Sequence, residues 1–447
     1  MRYSMLAGLV LLVASACPGQ SPPQPGDAGP LTIDLNDALA RARKYGLQVQ
    51  GAQLATALAH EDVKQVKAAR LPSLTAANQF LYTEGNGTPT GVYVSANGVH
   101  VYTELAQVHQ ELLPLFRHGE FHAAEAAEAA ARARVEIAAR GLTATVVQDY
   151  YAVAVGERKL VNARTSLEEA RRFFDITEKQ EKGGESAHVD TIKAQIQVQQ
   201  RERDLSDAQL NVEKAKIGLA VLIFPQLRLD FSIVDDLDKA PLLAPFAELG
   251  PLAKSTSPDL RAAQESLRAA TLGVSVARYG YLPSLSVDFL YGINANQFAA
   301  QTPLPEEAVP GYGVPYQQNL GYQGFVTMNI PVWNWGSTRS KVTQADLRRQ
   351  QAELDLTQAQ RTLQANLEAG YREAQAAQAQ LASLRGSLDL SAENLRLTLL
   401  RYQAGESTSL EVVDAQSTLA QARNAYSDGL SRYRVALASL QTLTGTL

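Results

Sequence analysis

Two hydrophobic periods alternate along the chain, one of seven residues and one of two. Leu367, Ala374, Leu381, Leu388, Leu395 and Tyr402 keep a seven-residue step, as do Val198, Leu205, Val212 and Leu219, and Leu419, Tyr426, Tyr433 and Leu440. Such a seam, with small alanines among the leucines, predicts long helices packed as coiled coils. From Leu285 the step falls to two. Val287, Phe289, Tyr291 and Ile293 alternate with Ser286, Asp288, Leu290, Gly292 and Asn294, and Leu320 to Ile330 alternates in the same way. Strands of about ten residues, apolar on one face only, are the material of transmembrane β-barrels. Leu74–Thr83 and Val101–Leu113 predict a second, less regular pair. Glu84–His100 and Ala295–Gln318 read as the loops between partners.

Proline placement sets the lengths. All 19 prolines lie outside Leu115–Phe224 and Val332–Leu447, which are rich in Ala, Leu, Gln, Glu and Arg. Those residues lose least in a helix. An unbroken helix from Gly119 to Glu181 would extend roughly 95 Å at ~1.5 Å per residue, which excludes a compact globular domain. The landmarks also recur. Leu71-Pro72-Ser73-Leu74 returns 211 residues later, Pro114-Leu115-Phe116 returns as Pro331-Val332-Trp333 after 217, and Gly184-Glu185-Ser186 returns as Gly405-Glu406-Ser407 after 221. Two tandem repeats follow, 31–225 and 226–447, each a helix, a strand pair (72–113; 283–331), a long helix, a tip turn (near 184; near 405) and a returning helix.

The N-terminus reads as an address. Arg2, the apolar run Met5–Ala14 and Ser15-Ala16-Cys17 describe a secretory signal peptide over 1–17. The site resembles a bacterial lipoprotein cleavage site, with Ala14 where leucine is usual, making Cys17 a candidate lipid anchor. Ordinary cleavage near an incidental cysteine is the alternative. Residues 18–30 form a Pro-rich linker. The longest later apolar run, Ile217–Phe224, has eight residues and fits a buried helix end, not a membrane span of ~20.

Charge and composition narrow the function. With 41 basic against 46 acidic side chains, a net charge of −5 and no dense basic patch, the chain offers nucleic acid no footprint. One cysteine excludes a disulfide framework and multi-cysteine metal sites. His118 and His122 flank Glu120 without a third ligand, so the reading is a polar junction and no metal. Gly184-Glu185-Ser186 opens like a nucleophile elbow, but His188 replaces the needed glycine and no strand precedes it. No enzyme site and no cofactor are expected.

Four strands cannot close a barrel, and open edges are not tolerated in lipid. Three chains giving twelve strands would suffice. The fold class expected is a mixed α and β membrane protein: a trimeric β-barrel, four strands per chain, continued by a long α-helical coiled-coil barrel. A lipid-tethered periplasmic coiled-coil scaffold is the competing reading, and it leaves the alternating strands without a purpose.

This order of elements resembles the outer membrane factor family, the TolC-like exit ducts of tripartite efflux and type I secretion systems. The resemblance runs from Leu31 to Leu447. It rests on the two Leu-Pro-Ser-Leu segments, Pro331-Val332-Trp333-Asn334-Trp335-Gly336, and Arg401–Gln416 with its Ala404-Gly405-Glu406-Ser407 turn. It implies a homotrimer in the outer membrane lipid whose helical tube projects into the periplasm. It further implies a periplasmic adaptor (membrane fusion) protein meeting the tips Gly184, Glu185, Ser186, Gly405, Glu406 and Ser407, and an inner-membrane pump behind it. Acidic constriction residues fall at Glu411 and Asp414, with Asp190 at the position matching Glu411. Their mutual repulsion should raise their pKa values, and Arg401 and Lys193 are candidate partners.

Overall fold

A computed structural model describes residues 31–83, 99–239, 241–295, 297–303 and 316–446. The segment expected to be a signal peptide, Cys17, the Pro-rich stretch and most of both strand-joining loops lie outside them.

The chain runs β1 (Leu31–Ile33), α1 (Leu35–Tyr45), α2 (Leu47–Ala68), β2 (Ser73–Thr83), β3 (Val99–Glu111), α3 (Leu113–Phe116), α4 (Gly119–Lys182) and α5 (His188–Ile223). It continues β4 (Phe231–Ile233), α6 (Phe246–Thr256), α7 (Pro258–Arg278), β5 (Ser284–Ala295), β6 (Gln301–Pro303), β7 (Tyr316–Gln318), β8 (Leu320–Asn329), α8 (Ser337–Gln403) and α9 (Ser409–Thr444). The two proline-free stretches become α4, of 64 residues, and α8, of 67. Each reverses at a glycine turn into a 36-residue partner, α5 or α9.

The seven-residue seams face inward. Val212, Leu219, Leu367, Ala374, Leu395, Tyr402, Leu419, Tyr433 and Leu440 are all buried. In the half nearer the turns, α4 packs on α5 and α9, and α9 on α8, giving a layer ordered α5, α4, α9, α8. Nearer the strands, α2 and α7 take the places of α5 and α9, so the order becomes α2, α4, α7, α8. At mid-height the parallel pair β1–β4 sits against α4, where the Tyr150 hydroxyl donates to the Val234 carbonyl at 2.6 Å. Burial holds the neighbouring Tyr151 phenol up to about 12.

Four strands form one antiparallel sheet in the order β2-β3-β5-β8. The central pair joins the two halves of the chain, with His109 opposite Asp288. Alternation sorts the two faces. Phe80, Tyr102, Val108, Phe289, Tyr291, Tyr322, Val326 and Met328 share one face, and Gln79, Thr103, Gln107, His109, Asp288, Asn294, Gln323 and Thr327 the other. On the polar face Asp288 accepts from Gln107 Nε2 at 3.1 Å and sits 2.7 Å from His109 Nδ1.

Three expectations need correction. Val101–Leu113 is not all strand: the chain leaves the sheet at Glu111, and Pro114 sits in the helical turn α3, where its missing N–H costs nothing. Within Ala295–Gln318, β6 and β7 pair as a short ribbon, pinned by Asn319 Nδ2 donating to the Ala299 carbonyl at 3.0 Å. Ile217–Phe224 is amphipathic and not wholly buried, since Leu219, Ala220 and Ile223 enter the core while Ile217 and Val221 face outward.

Candidate functional site: the paired tip turns

The two glycine turns are built alike because both need a left-handed residue. Gly184 has φ 78° and Gly405 has φ 76°, a region that penalises any Cβ. The amide of Glu185 then reaches back to the Gln180 carbonyl at 2.8 Å, and that of Glu406 to the Arg401 carbonyl at 2.8 Å. These bonds satisfy helix-terminal carbonyls that would otherwise be orphaned. Glu185 and Glu406 are exposed, and Ser186 and Ser407 are half-buried.

After the turns the hairpins differ. Thr408 caps α9: its hydroxyl accepts from the Glu411 amide at 3.3 Å, and Glu411 Oε1 accepts from the Thr408 amide at 3.4 Å. Glu411 Oε2 also accepts from Ser407 Oγ at 2.9 Å and lies 3.7 Å from Arg401 Nη1. In the first hairpin Ala187 stands at the cap and bonds nothing through its side chain. Asp190, free of cap duty, accepts from Ser409 Oγ of α9 at 2.5 Å and lies 3.5 Å from Lys193. Below this link Phe173 and the buried Tyr402 meet edge to face at 5.1 Å. A cleft lined by Glu185, Ser186, Asp190, Tyr402 and Ser409 separates the two turns.

The six tip residues are thus brought together at one end, with Asp190 and Glu411 directly behind them. Asp414 is exposed on α9 and makes no side-chain hydrogen bond or ion pair among the described residues. The repulsion expected among carboxylates belongs to several copies around one axis, whereas within one chain Glu411 meets other neighbours. The Ser407 hydrogen bond, then the Thr408 amide and the Arg401 charge, hold its carboxyl below its ordinary value. Arg401 does reach Glu411, and Lys193 pairs with Asp190 instead. Ser409 was not predicted. Thr408-Ser409-Leu410-Glu411 has the spacing of a capping box, the signal that places Glu411 at the cap.

At the other end of α4, His118 and His122 stack at 6.1 Å. Arg70 Nη2 lies 3.1 Å from His118 Nε2, and Glu125 lies 2.8 Å from His122 Nδ1. Among the described residues no three His, Cys, Asp or Glu side chains are grouped to hold a metal. No described helix is long and apolar enough to cross a membrane.

The architecture is that of outer membrane channels. The Campylobacter jejuni CmeC outer membrane channel superposes with a TM-score of 0.78 at 16% identity, covering 92% of this chain and 85% of that one. The CusC structure gives a TM-score of 0.79 at 18% identity, covering 94% and 95%. The sequence pattern of outer membrane efflux proteins matches residues 36–223 and 249–446, and the chain belongs to that family. Membership places it in the outer membrane.

Two relatives illustrate the range. The cobalt-zinc-cadmium resistance protein CzcC of Cupriavidus metallidurans is 23% identical over 427 residues, covering 94% of this chain and 91% of that protein. The probable efflux pump outer membrane protein TtgC of Pseudomonas putida is 23% identical over 288 residues. That match covers 64% of this chain and little more than half, 56%, of TtgC.

Proposed function

We propose that three copies of this chain assemble into an exit duct, in which a twelve-strand barrel crosses the outer membrane and two tandem repeats per chain supply a twelve-helix periplasmic tube. A periplasmic adaptor meets the tip turns and links the duct to an inner-membrane pump. Asp190, Glu411 and Asp414 ring the narrow end, and an acylated Cys17 adds a second hold on the membrane.

The observation that carries this reading is a pair of matched edges. The helical layer ends on α5 at one flank and α8 at the other, and both flanks expose apolar side chains. Val189 and Leu400 each lie five residues from their tip glycine, and Ile192 and Leu397 each lie eight away. All four are exposed. Nearer the strands, exposed Leu58 lies ten residues before the end of α2 and exposed Leu347 ten after the start of α8. Side chains at equal heights on opposite flanks meet when copies stand side by side, a heterologous contact that closes into a ring. The sheet has the same need, because β2 and β8 are free edges that lipid does not tolerate.

Pairing cysteines across the flanks tests the assembly. In a Cys17→Ser background, Ile192→Cys with Leu397→Cys should give oxidised dimers and trimers on a denaturing gel, while either cysteine alone should not. A double variant that reaches the membrane but yields only monomer refutes the ring.

A further inference from the structure

Two histidine contacts fasten the α2 segment to α4, ten residues apart on both, or about 15 Å of helix. The first lies at the sheet end. Arg70, two residues past the end of α2, places Nη2 3.1 Å from His118 Nε2 and donates from the same nitrogen to the Leu115 carbonyl at 3.0 Å. His118 Nδ1 lies 3.2 Å from the Phe116 carbonyl. A guanidinium has only donors and a carbonyl only acceptors. The imidazole must therefore donate through Nδ1 and accept through Nε2, which leaves it one proton and no charge. Arg70 has little else to hold it: its Nε is buried without a partner, and its guanidinium stands 6.0 Å from the Phe121 ring. Gln110 Nε2 donates to the Arg70 carbonyl at 3.2 Å, so one residue ties α2, α3, α4 and β3 together.

The second contact has the opposite chemistry. Glu128 is 8% exposed, accepts from Arg132 Nη2 at 2.5 Å and lies 3.1 Å from His60 Nδ1. A second proton on His60 would face a carboxylate, whereas one on His118 would face a cation. The neighbours keep that contrast. Beside His118, Arg117 donates to the Pro283 carbonyl at 3.3 Å, and the His122 ring, stacked at 6.1 Å, holds Glu125 2.8 Å from its Nδ1. Lys67, Glu111 and Glu120 make no side-chain hydrogen bond or ion pair among the described residues. Beside His60, Glu61 and Lys64 pair with each other at 2.7 Å.

We propose that the junction of sheet and helices is a proton-driven latch, which acid opens at Arg70–His118 while His60–Glu128 keeps α2 against α4. A second proton on Nε2 removes the acceptor and sets an imidazolium against the guanidinium, so Arg70 must leave. The released form then holds one proton more than the latched form, and acid favours it. A free imidazole has a pKa of about 6.5, so its charged form leads about thirtyfold at pH 5 and its neutral form about tenfold at pH 7.5. The ratio of released to latched chains should therefore rise by up to about thirtyfold over that range. What Arg70 lets go is the turn α3 and the start of the 64-residue helix α4. The latch lies within one chain, so it stands whether or not copies assemble into a duct.

Hydrogen exchange of the full chain in detergent, read by mass spectrometry and taken relative to intrinsic exchange at each pH, tests the latch. The amides of Ala69, Arg70 and Leu71 bond to the carbonyls of Gln65, Lys67 and Ala68, and so report on this end of α2. Between pH 7.5 and pH 5 their protection should fall, by up to about thirtyfold, while that of the amides around His60 holds. His118→Gln offers Arg70 an oxygen and the Phe116 carbonyl an N–H at every pH, and should keep the protection at both. His118→Lys should lose it already at pH 7.5. Unchanged protection in the unsubstituted chain overturns the latch, as does an equal fall in His118→Gln. A fall around His60 as large as that at Arg70 also overturns it, and makes the change a general loosening of α2.

Discussion

Ser409 donates a 2.5 Å hydrogen bond to Asp190, tying the first turn of α9 to the first turn of α5. It is a direct side-chain hydrogen bond between the two hairpin ends, and it joins residues 219 positions apart. Ser409→Ala should therefore loosen the tips without disturbing assembly. A hydrogen bond to a charged group contributes about 1.5–3 kcal/mol, so the closed-to-open ratio should fall roughly tenfold or more. Single-channel recording in planar bilayers reads this as longer open times, and unchanged gating would remove the link from the mechanism.

The carboxyls behind the turns should set selectivity. Three copies of Glu411 and Asp414 around one axis would attract cations and repel anions. Glu411→Ala with Asp414→Ala should abolish cation preference and block by multivalent cations. Survival of both in bilayer recordings would place the gate elsewhere.

Acid should unfasten the start of α9. Glu411 is held below its ordinary value chiefly by Ser407, then by Thr408 and Arg401. A group with a lowered folded pKa stabilises above its unfolded pKa and loses that contribution as pH falls through the folded value. Protection of the amides in the first turn of α9, taken relative to intrinsic exchange at each pH, should accordingly fall below about pH 4. Glu411→Gln should show the lower protection already at neutral pH and no further loss on acidification.

Gly405 has open space around its missing Cβ, so its requirement is conformational and not steric. Gly405→Ala should cost about 1 kcal/mol from positive φ and leave efflux near normal. Gly405→Trp should block transport while trimers still form on a gel. Retained efflux by the tryptophan variant would count against docking at that turn.

Gly292 and Gly321 face each other across β5 and β8 with opposite demands. A Cβ on Gly292 would lie 1.9 Å from the Glu104 carbonyl oxygen, whereas one on Gly321 meets nothing within 4 Å. Gly292→Ala should abolish the heat-modifiable band that a folded barrel gives, and Gly321→Ala should keep it.

Much of this architecture was legible because it is periodic. Leu367 to Tyr402 repeats at the pitch of a coiled-coil seam, and Val287 to Ile293 repeats at the pitch of a strand, so each declares its element without reference to distant residues. What stayed hidden depends on contacts across the chain. Ser409 in isolation is an ordinary helix-start serine, and only the fold brings Asp190 to it. Glu411 stands three residues after Thr408, the spacing of a capping box, so part of its bonding was open to reading, while its hydrogen bond from Ser407 needed the folded turn. The left-handed backbone at Trp335 could not be read either, since no residue preference predicts a bulky side chain there.

The pairing of β3 with β5 sets a timetable for the molecule's birth. His109 and Asp288 are 179 residues apart, so the sheet's central rung cannot form until well over half the chain has been made and exported. Contacts of such long range are slow to close. Until then the hairpin of β2 and β3 stands alone, and a lone two-stranded hairpin is marginally stable at best. Its apolar face stays uncovered while the rest arrives. In the proposed duct insertion would then be a single late event instead of a gradual one, and a chain truncated before β5 should be cleared by proteolysis, never becoming half a pore.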